Sequence, residues 1–336
     1  MKILTGLCRL TSTLLLLLPT AFNLHAQALK GHVEVIDPSL EKIVARDAAV
    51  DIIAEGLDWC EGPLWVEAEK MLLFSDVPQN KIYRWTAARG KELYLSPSGY
   101  TGTLPRGGEL GSNGLTLDNS GHLIICQDGD RAVSRMNSPT SHPYASFTPL
   151  ASRYQGEKFN SPNDLIYNRS GDLFFTDPPY GLEKNMDDPL KEIPFQGVYK
   201  ISASGELTLL LDSISRPNGI ALTPDGKTLM IANSDPGKPY WYAYSLSADG
   251  RLSNGRIFYD ASREAKTEIG LPDGMKIDSH GNIFATGPGG VWIFNAAGKL
   301  LGKIRFDGVT SNCALTKDEK TLFITADMYV LRVKLR

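Results

Sequence analysis

Along most of this chain short apolar runs alternate with polar turns, and after the first residues no sustained helical period appears. Between Glu61 and Asp76 the order is Gly-Pro-Leu-Trp-Val, then Glu-Ala-Glu-Lys, then Met-Leu-Leu-Phe-Ser-Asp, which predicts a strand, a tight turn and a second strand. The same hairpin returns from Asn113 to Asp128, Asn163 to Asp177, Asn218 to Asp235, Asp273 to Gly287 and Asn312 to Asp327. Its turns read Asp118-Asn-Ser-Gly, Asn168-Arg-Ser-Gly, Thr223-Pro-Asp-Gly and Asp278-Ser-His-Gly, the residues that tolerate the left-handed backbone of tight hairpins.

Each hairpin opens on a small tripeptide: Cys60-Glu61-Gly62, Ser112-Asn113-Gly114, Pro162-Asn163-Asp164, Pro217-Asn218-Gly219, Pro272-Asp273-Gly274 and Ser311-Asn312-Cys313. Their spacing of about 40 to 55 residues lies in the range of propeller blades. Further strands follow, as at 81–85, 197–201, 207–211 and 290–294, so three or four short antiparallel strands make a unit. Six such units predict an all-β, six-bladed β-propeller with four-stranded antiparallel blades. An open sheet would leave unpaired edges. The strand-like segment 50–55 precedes the first unit, while 329–335 supplies only a third strand to the last. The N-terminal strand is therefore expected to close the ring inside the last blade.

The first residues differ. Lys2 and Arg9 precede five consecutive leucines at 14–18, and the small residues Ala26 and Ala28 offer cleavage positions. This is the order of a secretory signal peptide over 1–26, leaving a single domain at 29–336 that is exported to the periplasm or medium. A membrane helix is the other reading, but the stretch is short and carries Pro19 and Asn23. No membrane partner is expected once the segment is removed. The net charge of -3, with no block of Lys or Arg, argues against nucleic acid and anionic lipid and favours a small-molecule partner. Removal of Cys8 leaves Cys60, Cys126 and Cys313, an odd set that makes no disulfide scaffold. Cys60 and Cys313 flank equivalent repeat positions, as small buried residues or as a bridged pair.

A hairpin brings both of its ends to one mouth of the ring. Two polar rings are thus expected on one rim: Glu61, Asn113, Asn163, Asn218, Asp273 and Asn312, then Asp76, Asp128, Asp177, Asp235 and Asp327 with Gly287 at the fifth place. So many oxygens around a narrow channel call for a compensating cation. Calcium suits an oxygen-only set, with magnesium second, whereas zinc prefers the His and Cys missing from these positions. Taken singly, each Asn/Asp-Gly is ordinary turn chemistry before a strand. Glu61 breaks that pattern.

The residues Glu61-Gly62-Pro63-Leu64-Trp65, Phe74-Ser75-Asp76, Asn163-Asp164, Pro217-Asn218-Gly219 and Pro272-Asp273-Gly274-Met275 resemble the regucalcin/gluconolactonase/luciferin-regenerating family of six-bladed propellers. The resemblance implies that Glu61, Asn218 and Asp273 hold a metal, often calcium. It also implies that Asn163 contacts metal or substrate, that Asp273 doubles as general acid/base, and that the reaction is hydrolysis of a small lactone, such as that of a sugar acid. Asn113, Asn163, Asp128 and Asp235 are the expected substrate contacts. The chain departs from the pattern at Asp128, where many exported relatives are expected to carry His. His122 and His280 fall in or beside hairpin turns, which speaks against the His-dyad chemistry of paraoxonase-type propellers. The connections 96–112, with Arg106, and 178–194, with Tyr180, leave from the rim side as lids or as insertions. Arg106 and Arg216 are candidates to steer an anionic substrate. Two rivals remain open: a non-catalytic binding module on the same ring, and another ester or a phosphoester as substrate.

Overall fold

The computed structural model describes residues 31–336; the leader segment expected at 1–26 lies outside the described residues. Six antiparallel sheets form a ring. Blade 1 runs through Cys60–Val66, Met71–Asp76, Lys81–Thr86 and Gly90–Leu95, from the inner strand outward. Blades 2 to 4 repeat this plan, starting from Ser112–Leu117, Leu165–Tyr167 and Pro217–Leu222. Blades 5 and 6 start from Met275–Ile277 and Asn312–Leu315. The inner strands touch one another in sequence, and that of blade 6 returns to that of blade 1.

The second strand of each blade explains the unbroken apolar runs. Met71–Asp76, Leu123–Gln127, Leu173–Asp177 and Ile283–Gly287 are buried at every residue, because neighbouring blades cover both faces. Strands covered on one face only would alternate instead. Hydrophobic cores therefore lie between blades. Phe159, Phe175 and Tyr199 pack together beside Cys126 where blades 2 and 3 meet, and Trp241, Trp292 and Phe294 pack where blades 4 and 5 meet. Each fully buried large side chain of this kind stabilises the ring by about 1.5–3 kcal/mol.

Closure follows the expected plan and adds to it. Val50–Ala54 pairs antiparallel with Tyr329–Lys334, Val50 opposite Val333, as the fourth strand of blade 6. Gly31–Val35 also pairs with Leu300–Phe306, Gly31 opposite Phe306, and gives blade 5 a fifth strand. A 3-10 turn at Pro38–Lys42 joins the two and seats Leu40, fully buried, in the core between blades 5 and 6. The N-terminal segment thus covers two sheet edges. Cys60, Cys126 and Cys313 are all buried and free. Cys60 donates its thiol to the Tyr329 carbonyl at 2.8 Å, and Cys313 lies 3.4 Å from the Phe284 carbonyl.

The hairpin turns carry the expected chemistry: Asp118 Oδ1 accepts from the Ser120 and His122 amides, and Asp278 Oδ1 from those of His280 and Asn282. The opening tripeptides, however, are not turns. Those of blades 1, 2 and 4 lie largely within the inner strand. Their glycines are needed for close approach: a Cβ on Gly62 would lie 2.0 Å from the Asn113 carbonyl oxygen, and one on Gly219 2.2 Å from that of Asp273. At Gly219 what reads locally as turn composition is the contact between consecutive inner strands, while Gly62 also needs the left-handed backbone, at φ +53.

Candidate active site

The rim ring forms as the hairpins require. Glu61, Asn113, Asn163, Asn218 and Asp273 line one cavity of about 350 Å³ at the mouth of the central channel. Trp59, Glu109, Tyr180, Arg216, Ser234 and Leu271 also line it, with Gly270 and Val309. Asn312, the sixth ring position, lies deeper, where its Oδ1 accepts from Lys276 Nζ at 3.2 Å and from the Cys313 amide at 2.8 Å.

Second-strand hydroxyls hold neighbouring blades together just below the rim. Ser75 donates to the Asn113 carbonyl at 2.9 Å, Thr176 to that of Asn218 at 2.7 Å, and Ser234 to that of Pro272 at 2.7 Å. Ser234 does more: its oxygen accepts from Asn218 Nδ2 at 2.9 Å. Because the nitrogen is committed there, the Asn218 oxygen is left for the cavity. Such outer partners fix the orientation of a metal-binding amide.

The electrostatics are those of crowded carboxyls. Burial, then Asp164, then Glu109 push the Glu61 carboxyl up to about 8. Burial, then Glu61 and Asp164, push Asp273 well above the usual carboxylate range. For Glu61 this amounts to on the order of 5 kcal/mol against the charged form. Asp164 is buried below the rim, its Oδ1 accepting from the Leu165 amide at 2.9 Å and its Oδ2 lying 3.4 Å from Asn312 Nδ2. The bonds reaching Glu61 are long, 3.4 Å from Trp59 Nε1 and 3.3 Å from the Gly62 amide. The Oδ1 atoms of Asp273 and Asn113 are buried with no partner. Carboxylate and amide oxygens that lack donors, in a site that disfavours their charge, fit a hard divalent cation such as calcium.

Of the remaining positions, Asp128 is buried with neither oxygen bonded, and it sits behind the cavity wall, where burial and then Glu109 push its carboxyl well up. Asp235 lies outside the lining residues, with one oxygen accepting from Ser215 Oγ at 2.5 Å and the other from the Gly237 amide at 2.8 Å. Asp76 and Asp177 likewise bond the backbone of the segments that lead into their blades. Arg106 is spent on the rim itself, donating to the Gly107, Gly129 and Gly181 carbonyls and pinning the two long connections together. Arg216 lines the cavity and makes no ion pair among the described residues.

Trp59 and Glu109 were not among the expected site residues, and Tyr180 was marked only as part of a rim-side connection read as a lid or an insertion. They arrive on irregular connections, where no periodicity marks which side chain points inward. A separate group, Asp278, His280 and Glu319, lies in the hairpin turns at the opposite end of blades 5 and 6. Its carboxylates are engaged by local donors, Glu319 by the Ser279 amide and hydroxyl at 2.7 Å each.

Known proteins bear on this geometry. The model of the SMP-30/gluconolactonase/LRE-like region matches residues 59–327, which run from the first inner strand to just past the second strand of blade 6. The chain belongs to this family. It is 37% identical over 310 residues to a gluconolactonase of Zymomonas mobilis, covering 90% of this chain and 86% of that one. Among solved structures, a gluconolactonase of Xanthomonas campestris superposes with a TM-score of 0.78 at 28% identity, covering 92% of this chain and 97% of that one. A calcium-binding regucalcin of Agrobacterium tumefaciens shares the fold, with a TM-score of 0.66 at 18% identity, covering 86% of this chain and 95% of that one.

Proposed function

We propose that this family member hydrolyses a small lactone, of the size and polarity of a sugar-acid lactone, with a divalent cation, calcium first, at Glu61, Asn218 and Asp273 and Asn163 beside them. The observation that carries the reading is the unpartnered, buried Asp273 Oδ1 facing a cavity whose carboxyls are pushed out of their usual range. The similarity to gluconolactonases over most of the chain supports the substrate class. So does the cavity, since about 350 Å³ suits a single sugar ring.

The cation would supply a Lewis acid to the lactone carbonyl and its developing oxyanion. Trp59 and Tyr180 offer flat apolar faces to the ring, and Asn113 and Asn163 offer amide groups to its hydroxyls. Asp273 takes the proton of the attacking water as its oxygen adds to the carbonyl carbon. It returns that proton to the ring oxygen as the acyl C–O bond breaks, so that lactone and water become one hydroxy acid. The product is an anion, and the unpaired Arg216 guanidinium presents the complementary charge in the same cavity. Export by the segment at 1–26 belongs to this proposal and is checked by N-terminal sequencing of the mature protein.

The deciding experiment follows ring opening of glucono-lactone, corrected for its spontaneous hydrolysis. The rate should be lost in EDTA, return with calcium, and fall about a thousandfold in Asp273→Ala. Activity that survives both treatments sinks the proposal. Activity on phosphotriesters but not on lactones would keep the cation and replace the substrate.

A further inference from the structure

We propose that Asp128, Glu109 and Asn113 form a second site for a hard divalent cation of the calcium type, behind the one placed at Glu61, Asn218 and Asp273. The inference goes beyond lactone hydrolysis, and its readout does not pass through that reaction.

The starting point is a break in the second ring of acids. Asp76 Oδ1 accepts from the Asp58 and Trp59 amides at 3.1 and 3.3 Å, and Asp177 accepts from those of Asn160 and Ser161 at 2.9 and 2.8 Å. Asp235 accepts from Ser215 and Gly237. Asp128 holds the same place in blade 2 and is 1% exposed, yet neither of its oxygens accepts a backbone amide, and only the Glu109 carboxyl and the Asn113 amide stand beside it. The Gly111 amide, which precedes the inner strand of this blade, donates to the Val77 carbonyl instead.

What surrounds Asp128 is more oxygen. Glu109, from the connection pinned by Arg106, sets its carboxyl against that of Asp128. Asn113 lies beside them at 3% exposure, with its Oδ1 also buried and unpartnered. Nearby cations are occupied elsewhere. Arg106 bonds three carbonyls, and Arg131 bonds those of Phe159, Lys158 and Leu190 and faces Glu192. Neither Asp128 nor Glu109 has an ion-pair partner among the described residues.

Buried carboxyls in this condition are stable when paired or when they coordinate a cation. Two carboxylates and an amide oxygen provide about three to five oxygen ligands, leaving places for water from the cavity among the six to eight that calcium accepts.

The test counts ions. Protein stripped with EDTA and equilibrated with calcium is weighed by native mass spectrometry and titrated by calorimetry. Two ions per chain are expected, one in Asp128→Asn, one in Glu109→Gln and one in Glu61→Gln. Both of the first two changes keep side-chain shape, and Glu109 is only half-buried, so Glu109→Gln carries the test should Asp128→Asn fail to fold. A single ion in the native protein that both variants retain overturns the inference. Loss of one ion in Asp128→Asn but none in Glu61→Gln would sustain this site while sinking the ion assigned to Glu61.

Discussion

Asp128 and Asp177 occupy the same position in successive blades, each at or just past the end of a fully buried second strand. Burial is the leading influence on both carboxyls, pushing Asp177 up to about 7 and Asp128 well up. Asp177 nevertheless receives two backbone amides and ties the approach to blade 3. Asp128 receives none and faces Glu109. A repeat therefore preserves a residue's place without preserving its work, and satisfied hydrogen bonds separate the structural acid from the one available for chemistry.

The strongest challenge to that contrast is a pair of alanine variants measured by urea unfolding in EDTA. Asp177→Ala strands two buried amides, so a loss of roughly 2–4 kcal/mol is expected. Asp128→Ala removes an unpartnered carboxyl and opens a small cavity, two effects that oppose each other, so its change should stay within about 1 kcal/mol. Equal losses would dissolve the distinction.

Why the sequence showed the ring but not this distinction is a matter of range. Hairpin pattern and turn residues are local, so six blades and the closing role of 50–55 were legible. The extra strand at Gly31–Val35 was not, because blade 5 already has four strands and the count of repeats calls for no fifth beside Leu300–Phe306. The rim set of Glu61, Asn163, Asn218 and Asp273 could be placed on one mouth because hairpin length fixes which ends coincide. Gly219 reads as a turn former because composition cannot distinguish a left-handed residue from a tight contact with a neighbouring strand, whereas Gly62 is both, with φ +53 and a close approach to Asn113. Glu109 and Tyr180 were hidden on connections whose inward positions depend on the hydrogen bonds of Arg106.

A pH series sharpens the comparison from the Asp177 side. Its carboxyl titrates near 7 in the folded chain against an ordinary 3.8, so the folded state holds the extra proton between those values. Stability contributed by this group is greatest at acid pH, falls as pH rises from about 4 to about 7, and is level above. In Asp177→Asn that part of the slope should disappear, as read from urea midpoints at pH 5 and pH 8. An unchanged slope would show that the two amides outweigh burial.

The rim titrates in the opposite sense once calcium is present. Glu61, pushed up to about 8, carries a proton in the metal-free protein at neutral pH, and binding must displace it. Calcium affinity should accordingly rise with pH through the neutral range, by up to about tenfold per unit for each proton displaced from the Glu61 and Asp273 carboxyls. Calorimetry in buffers of different ionisation enthalpy counts the protons released. A pH-independent affinity would remove Glu61 from the ligands.

The smallest expected effect compares the residues that precede the two acids in blades 2 and 4. Ser234, before Asp235, accepts from Asn218 Nδ2 and donates to the Pro272 carbonyl, so it sets the face that Asn218 turns to the cavity. Gln127, before Asp128, reaches only the Ser98 carbonyl, at 3.1 Å, within the connection that carries Glu109. Ser234→Ala should weaken calcium binding at the rim by about tenfold, because the amide is free to turn its nitrogen inward. Gln127→Ala should leave rim binding within about twofold and loosen only the 96–111 connection, seen as faster amide exchange there. If both variants weaken rim binding equally, the orientation of Asn218 is set by blade packing as a whole, and the hydrogen bond it donates to Ser234 has no separate role.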